Sequence, residues 1–407
     1  MYYFKIGFRN IIKNYRRSLM TMTSIIIGMI ACLLTHGFFN WNISDMRESM
    51  IHHGIGHYQV YAKGFSKFGG DDPYKYLIND AAPVLDELRK IPEVKLVTTR
   101  MTFNGILSSG EKSTVVTGEA GTPENEGKLN SYAALAKGVG LSEDTPNSLM
   151  IGDGVAKKLS AKLGDTLTLM GNMQGGGINA IDLKLVGLTH TGQTDLDNMV
   201  VAAPMEDIQN LLMTDSSVQK IVVLLKETQD TKKIEPQIRK ICKKYNLEYR
   251  DWETLAEFYR SLKLMYDVIF DIIILIVLTI VTFTISNTVN MNLNDRVREI
   301  GTIRALGTKR TQVASIFIAE SSLMGIIGGF IGLAISYILI GFTELIGGIP
   351  ILIKGSDQPY TMHVFFHPTL IAIVMCILLF SFVAVLASIN PSRRASKISI
   401  VEALRWI

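Results

Sequence analysis

The sequence predicts an integral membrane α-helical protein with four transmembrane helices and a large α+β extracytoplasmic domain between helices 1 and 2. Three observations carry that prediction. The 407 residues are 48% hydrophobic and only 19% charged, where a soluble domain carries about 25% charged residues. Residues 18–44, 272–294, 321–343 and 358–392 contain no Asp, Glu, Lys or Arg. Each stretch exceeds the roughly 20 residues that a helix needs to cross a hydrocarbon core of about 30 Å. Lys and Arg then collect in alternate connecting segments, the pattern of cytoplasmic loops.

The expected order follows from those stretches. Residues 1–17 form a cytoplasmic interfacial helix, in which Tyr3, Phe4, Ile6, Phe8, Ile11 and Ile12 alternate with Lys5, Arg9, Lys13, Arg16 and Arg17. A plain juxtamembrane charge cluster is the alternative. Residues 18–40 form the first span, read as an uncleaved anchor because the apolar run continues to Phe39. The periplasmic domain occupies 41–266 and the second span 267–290. Residues 291–314 form a cytoplasmic segment rich in Arg296, Arg298, Arg304, Lys309 and Arg310. The third span covers 315–346, a short outer loop 347–367 and the fourth span 368–390. The tail, 391–407, holds Arg393, Arg394, Lys397 and Arg405. Both termini are thus expected in the cytoplasm of a cell whose inner membrane the protein crosses several times.

The outer domain mixes helix and strand periods. Helices are expected at 81–90, 151–163 (ended by Gly164), from Pro204, at 231–245, and at 253–266 running straight into the second span. Strands are expected at 95–107 and 113–118 as a hairpin, and at 166–170, 182–186, 199–203, 218–225 and 247–250. Residues 171–177 form a flexible glycine-rich turn. Two lobes with a boundary in 119–147 are one possible division. The second span has a polar face of Thr279, Thr282, Thr284, Ser286, Asn287 and Asn290, which should meet another helix or a cavity. Gly325, Gly328, Gly329 and Gly332 form two small-xxx-small pairs on the third span, Gly325/Gly329 and Gly328/Gly332. They suit close helix packing, with a hinge as the alternative.

Little of the chain carries reaction chemistry. The nearest approach to a phosphate-binding loop, GTPENEGKL at 121–129, has one residue too many between its glycines and Leu where Ser or Thr must hold magnesium. His52, His53 and His57 cluster, but no Cys or carboxylate set completes a zinc site there. A solvated linker is the reading given to that segment. Cys32 and Cys376 read as core residues, and Cys242 has no disulfide partner in its domain. Lys232-Lys233 and Lys243-Lys244 read as solvated helix faces, so no nucleic-acid partner is expected. The strongest local signal is NDRVREIGTIRALGTKR at 294–310. It codes a short helix with Ile300, Ile303 and Leu306 on one face, charges on the other and a stop at Gly307. Such a helix, fixed between two spans, suits coupling to a protein on the inner face; an ordinary amphipathic loop helix is the alternative.

That segment resembles the E-x-G-x-x-R-A-x-G signature of the permeases that include the lipoprotein-releasing (Lol), macrolide-exporting (MacB) and cell-division (FtsX) proteins. Glu299, Gly301, Arg304, Ala305 and Gly307 match it. The tail PSRRASKISIVEALR resembles the family's ending through Pro391, Arg394, Ala395, Glu402, Ala403, Leu404 and Arg405. The start IGFRNIIKNYRRSLMT is similar to the family's entry helix, and IGDGVAKKLSAKLGDTLTL followed by LVGL to its lipoprotein-release branch. The resemblance implies a non-catalytic permease chain that pairs with a second permease, the same or paralogous. ATP and magnesium would be held by a separate ABC ATPase subunit, with no cofactor on this chain. Arg298, Glu299, Gly301, Arg304, Ala305, Leu306 and Gly307 would couple to that ATPase. Phe258, Leu262, Met265, Ile269 and Ile273 would face the substrate. The implied work is mechanotransmission, in which a lipoprotein or related amphiphile is lifted from the outer leaflet and passed to a periplasmic carrier. Efflux, or regulation of an extracytoplasmic enzyme, remain alternatives. In one of the paired lipoprotein-release permeases the corresponding loop is a proline-containing hook that recruits the carrier; here that place holds the proline-free GNMQGGGINA, which puts carrier docking by this chain in question.

Overall fold

The structure is a computed structural model. It describes every residue except 1, 14, 71, 126–133, 143–144, 191–196, 354–359, 398–402 and 404–407. In chain order it runs α1 (Tyr2–Lys13), α2 (Tyr15–Met50), β1 (Tyr58–Ala62), α3 (Ala82–Arg89), β2 (Val94–Ser108), β3 (Ser113–Gly121), β4 (Ala134–Gly138) and β5 (Ser148–Gly152). It continues through α4 (Asp153–Leu159), β6 (Thr166–Asn172), β7 (Ile178–His190), β8 (Val200–Pro204), α5 (Met205–Leu212), β9 (Lys220–Leu225), α6 (Thr231–Lys244) and β10 (Leu247–Asp251). The last elements are α7 (Glu257–Asp295), α8 (Val297–Ala305), α9 (Arg310–Leu345), β11 (Ile349–Ile353), β12 (Tyr360–Val364) and α10 (Leu370–Lys397). The chain divides into a membrane unit, residues 1–44, 261–352 and 361–407, and an inserted unit, residues 45–260 and 353–360.

In the membrane unit α2, α7, α9 and α10 are each long and apolar enough to cross a membrane. Their core is built from Ile25, Met29, Cys32 and Leu33 of α2, Val281, Ile285 and Val289 of α7, Phe317 of α9, and Cys376, Phe380 and Ala384 of α10. The polar face expected on the second span is not what faces that core. Thr279, Thr282 and Thr284 return their hydroxyl hydrogen bonds to the carbonyls of Leu275, Leu278 and Ile280 within α7. They are satisfied by their own helix, and the apolar side of α7 packs inward instead. The outer loop also departs from expectation, since β11 and β12 pair within it as a two-stranded sheet.

The inserted unit is an α+β domain on a ten-stranded mixed sheet. β2 is 15 residues long and serves two halves. Its first part, residues 94–100, pairs antiparallel with β9, which pairs with β1 and then β10. Helices α3 and α6 cover this half through Val84, Leu88, Ile234, Ile238 and Cys242. The second part of β2 starts a closed ring of six strands, β2-β3-β8-β5-β7-β6 and back to β2. The β3–β8 and β5–β7 pairs are parallel and the other four antiparallel. Closure needs β2 and β6 very close: a Cβ on Gly105 would stand 2.4 Å from the Met170 carbonyl oxygen. The strands on either side of and within the described part of 119–147, β3, β4 and β5, all belong to this one sheet, and the two halves meet along β2.

Other expectations need correction. Ile151 and Gly152 end strand β5 and do not open a helix, because β5 pairs with β7 and β8. α4 stops at Ser160, which takes the left-handed conformation itself, before Gly164 is reached. Helix 253–266 is broken: Asp251 caps a single turn at Trp252–Leu255, Ala256 leaves helical geometry, and α7 begins at Glu257. The 171–177 turn is a tight hairpin held from both sides. Gln174 N donates to the Leu212 carbonyl at 2.9 Å and Gln174 Nε2 to the Tyr74 carbonyl at 2.9 Å.

His57 is a framework residue and not part of a linker. It is 1% exposed. Its Nδ1 accepts from Leu225 N at 3.0 Å, so Nε2 carries the proton toward Thr228 Oγ1, also at 3.0 Å. Thr228 in turn lies within hydrogen-bond reach of Glu48. Burial, against the opposing charge of Glu48, pushes the imidazole down to about 4. The folded ring therefore resists protonation more than the unfolded ring, whose value lies near about 6.5. Stability from the neutral ring is full above about pH 6.5 and is lost as pH falls toward about 4, by on the order of 3 kcal/mol. The full-length protein in detergent should melt progressively lower across that window, and His57→Gln should flatten the slope. Equal slopes for the two proteins would refute this role.

Candidate coupling and substrate-facing sites

α8 is a nine-residue helix between α7 and α9. Its anchoring side is Val297, Ile300 and Gly301, all buried, with Ile303 half-buried. Leu306, expected on that side, is 83% exposed. The helix ends at Ala305, so Leu306 occupies the cap and turns outward. Gly307 follows at φ +98°, donating to the Arg304 carbonyl, while Thr308 N reaches the Ile303 carbonyl at 3.3 Å. This paired closure satisfies the last carbonyls of α8 and reverses the chain within two residues. Lys309 N then donates to Gln312 Oε1 at 2.9 Å, and α9 starts. The result is a short helix clamped at both ends, with Arg298, Glu299, Ala305, Leu306 and Gly307 presented outward and Arg304 half-buried.

Glu299 is set electrostatically. Its Oε2 accepts from Arg296 Nε at 2.7 Å. That bond, with Lys13 and Arg9 of α1 adding their charges against the effect of burial, holds its carboxyl below the usual range. The tail residues Glu402, Leu404 and Arg405, which carry part of the family resemblance, lie outside the described residues. Pro391 is buried within α10, and Arg394 is exposed.

The glycines of α9 do not act as two equivalent pairs. A Cβ on Gly325 would stand 2.8 Å from Ala384 Cβ on α10, whereas Cβ atoms on Gly328 and Gly332 would meet Ile25 at 3.1 Å and Met29 at 2.8 Å on α2. Nothing lies within 4 Å of a Cβ on Gly329. α9 therefore uses one glycine against α10 and two against α2. Gly28 of α2 was not marked by sequence reading: a Cβ there would meet Phe380 at 2.9 Å and Val277 at 3.0 Å. Its only signal in the sequence is the small-xxx-small spacing with Ser24.

Phe258, Leu262, Met265, Ile269 and Ile273 all lie on α7 at spacings of three and four residues. Phe258, Met265 and Ile269 are exposed, Leu262 and Ile273 half-buried. The adjoining side of α7 is engaged with α2: Tyr266 stacks on Phe39 at 4.7 Å, Phe270 meets His36 edge-on at 5.3 Å, and Tyr266 Oη donates to Asn42 Oδ1 at 3.0 Å. Ile272, Ile276, Ile280 and Phe283 extend the same exposed side further along α7. Among the described residues, no group of three or more His, Cys, Asp or Glu is placed to hold a metal ion.

Four helices long and apolar enough to span, an α+β domain inserted after the first, and a short clamped helix between the second and third are the arrangement of a membrane permease. The MacB-like periplasmic core domain family matches residues 18–241, and the FtsX-like permease C-terminal family matches residues 272–400. The chain belongs to the ABC transporter permeases of the MacB/FtsX superfamily. It is 25% identical to an uncharacterized ABC transporter permease of Methanocaldococcus jannaschii over 98% of this chain and 96% of that protein. It is 24% identical to the macrolide export ATP-binding/permease protein MacB of Campylobacter fetus, covering 97% of this chain but 59% of that protein. It is 25% identical to the lipoprotein-releasing system transmembrane protein LolC of Neisseria meningitidis, over 63% of this chain and 65% of that protein.

Proposed function

We propose that this chain is the permease through which a separate ABC ATPase, holding ATP and magnesium, draws a lipoprotein or related amphiphile out of the outer leaflet of the inner membrane. Both termini and α8 face the cytoplasm in this reading, because Lys and Arg concentrate there. The inserted domain then stands in the periplasm. The observation that carries the reading is α8 itself. It is buried on one side in the core of the spans and presents Arg298, Glu299 and the cap residue Leu306 outward. A docked subunit that moves α8 moves α7 and α9 with it. The exposed apolar side of α7, including Met265 and Ile269, supplies the surface for an acyl chain or a second permease chain.

Two observations favour efflux as the second reading. The likeness to the macrolide exporter runs through nearly the whole chain, and the 171–177 hairpin is proline-free and held down at Gln174, unlike a free carrier hook. Purifying the tagged chain in gentle detergent and identifying what comes with it separates these readings. An ATPase with bound lipoproteins supports release; an ATPase with an adaptor and tunnel protein selects efflux; no ATPase refutes both. Leu306→Asp is expected to reduce the recovered ATPase at least tenfold. Gly307→Val, whose Cβ meets nothing within 4 Å but whose φ disfavours a branched residue, should leave expression intact and lower substrate-stimulated ATP hydrolysis at least fivefold. Normal stimulation in both variants would remove the coupling role from α8.

A further inference from the structure

Glu320 was not marked by any sequence signal, since it falls one residue before the uncharged run of the third span. In the structure its side chain is 3% exposed, and among the described residues neither carboxylate oxygen makes a well-formed hydrogen bond. An ionisable group inside a spanning helix is costly to keep unless it works with a partner. Three elements bring polar groups to it. Arg296, at the start of α8, places Nη1 3.7 Å from Glu320 Oε2, and among the described residues that nitrogen makes no hydrogen bond. Asn10 of α1 is buried beside the same carboxyl and is its hydrogen-bonding neighbour. α1 packs on α9 so closely that a Cβ on Gly7 would meet Glu320 N at 3.2 Å.

Arg296 is held from the other side as well. Its Nε donates to Glu299 Oε2 at 2.7 Å, and its guanidinium lies 5.6 Å over the Phe317 ring. One arginine thus grips the carboxylate of α8 and stops short of the carboxylate of α9. A charge-assisted bond of this type closes at about 2.8 Å, so a displacement of about 1 Å would complete it. The two charges stop at 3.7 Å although Ile300, Val313 and Phe317 already pack α8 and α9 into the apolar core.

We propose that Glu320 is a positioning residue for α8: Arg296 carries displacement of α8 into α9 by closing on Glu320, and Asn10 ties α1 to the same carboxylate. This rests on the coupling role of α8 proposed above. The test uses the full chain in lipid nanodiscs with the ATPase that copurifies with it. Glu320→Gln keeps the shape and removes the charge. It should raise amide hydrogen exchange in residues 297–305 about tenfold and change MgATP hydrolysis at least fivefold. The recovered ATPase and the melting temperature should stay as in the parent. The double exchange Arg296→Glu with Glu320→Arg should return exchange to within about twofold of the parent, which a merely structural carboxylate would not do. Unchanged exchange and hydrolysis in Glu320→Gln, or no recovery in the double exchange, would overturn the proposal. Should Glu320→Gln fail to fold, Glu320→Asp, which withdraws the charge by one methylene, must move both readouts in the same direction. If the parent chain recovers no ATPase, the coupling reading fails separately, and the exchange comparison still judges the Arg296–Glu320 pair.

Discussion

Replacing Glu119 with alanine is expected to destabilise the inserted domain by about 3–5 kcal/mol, the cost of breaking a buried ion pair by removing one partner. Arg100 has a fully buried side chain and donates through Nη1 to Glu119 Oε2 at 2.7 Å and to the Gly54 carbonyl at 2.9 Å. Lys220 reaches Glu119 Oε1 at 2.5 Å. Partial burial raises the Glu119 carboxyl, but Lys220 and Arg100 outweigh it and hold the group below the usual range. The placement explains the size of the effect. Arg100 pairs with Lys220 across β2–β9 and with Gly121 across β2–β3, so it stands where β2 passes from the open half to the closed ring. Glu119→Ala leaves two cations at that junction. Denaturant unfolding of the full chain should show the loss directly, and hydrogen exchange should rise at β2 and β9 first. Glu119→Gln, which keeps hydrogen-bonding atoms, should cost less, about 1–3 kcal/mol. A change below about 1 kcal/mol in the alanine variant would show that the junction does not depend on this carboxylate.

Gly325→Val is expected to force α9 and α10 apart, because the β carbon alone would stand 2.8 Å from Ala384 Cβ and 3.2 Å from Ser381 Cα. Overpacking of this kind costs about 1–3 kcal/mol and often more where backbone must move. Gly329→Ala, with nothing within 4 Å, should be neutral or slightly stabilising through helix propensity. The pair makes a sharp comparison, since the two glycines are one turn apart on the same helix. Unfolding in mixed micelles should separate them clearly. Equal stability of both variants would mean that the α9–α10 contact yields more readily than its geometry indicates.

Much of the fold was legible because membranes and β-sheets impose simple rules. Uncharged stretches long enough to span located the four helices, and β-branched residues with turn signals located β2, β3, β6, β7 and β9 within a few residues. β1 was missed because Tyr58-Gln59-Val60-Tyr61 is buried along its whole length between β9 and β10, so it shows no alternation. The polar side of α7 was read as a contact face because sequence does not reveal that a hydroxyl can bond to the carbonyl one turn back. Leu306 was assigned inward because its spacing continues that of Ile300 and Ile303, but the helix stops one residue earlier.

By itself, then, the sequence determined the number of spans, the α+β character of the insertion, the position of α8 and the superfamily, since each is written in local composition, periodicity or motif. Only the tertiary structure decided that β2 joins an open half to a closed ring, that α9 uses Gly325 and Gly332 against different helices, and that Arg296, Asn10 and Glu320 converge. Those features join residues far apart in the chain. Sequence patterns report which side of an element prefers to be buried; they do not report which neighbour buries it.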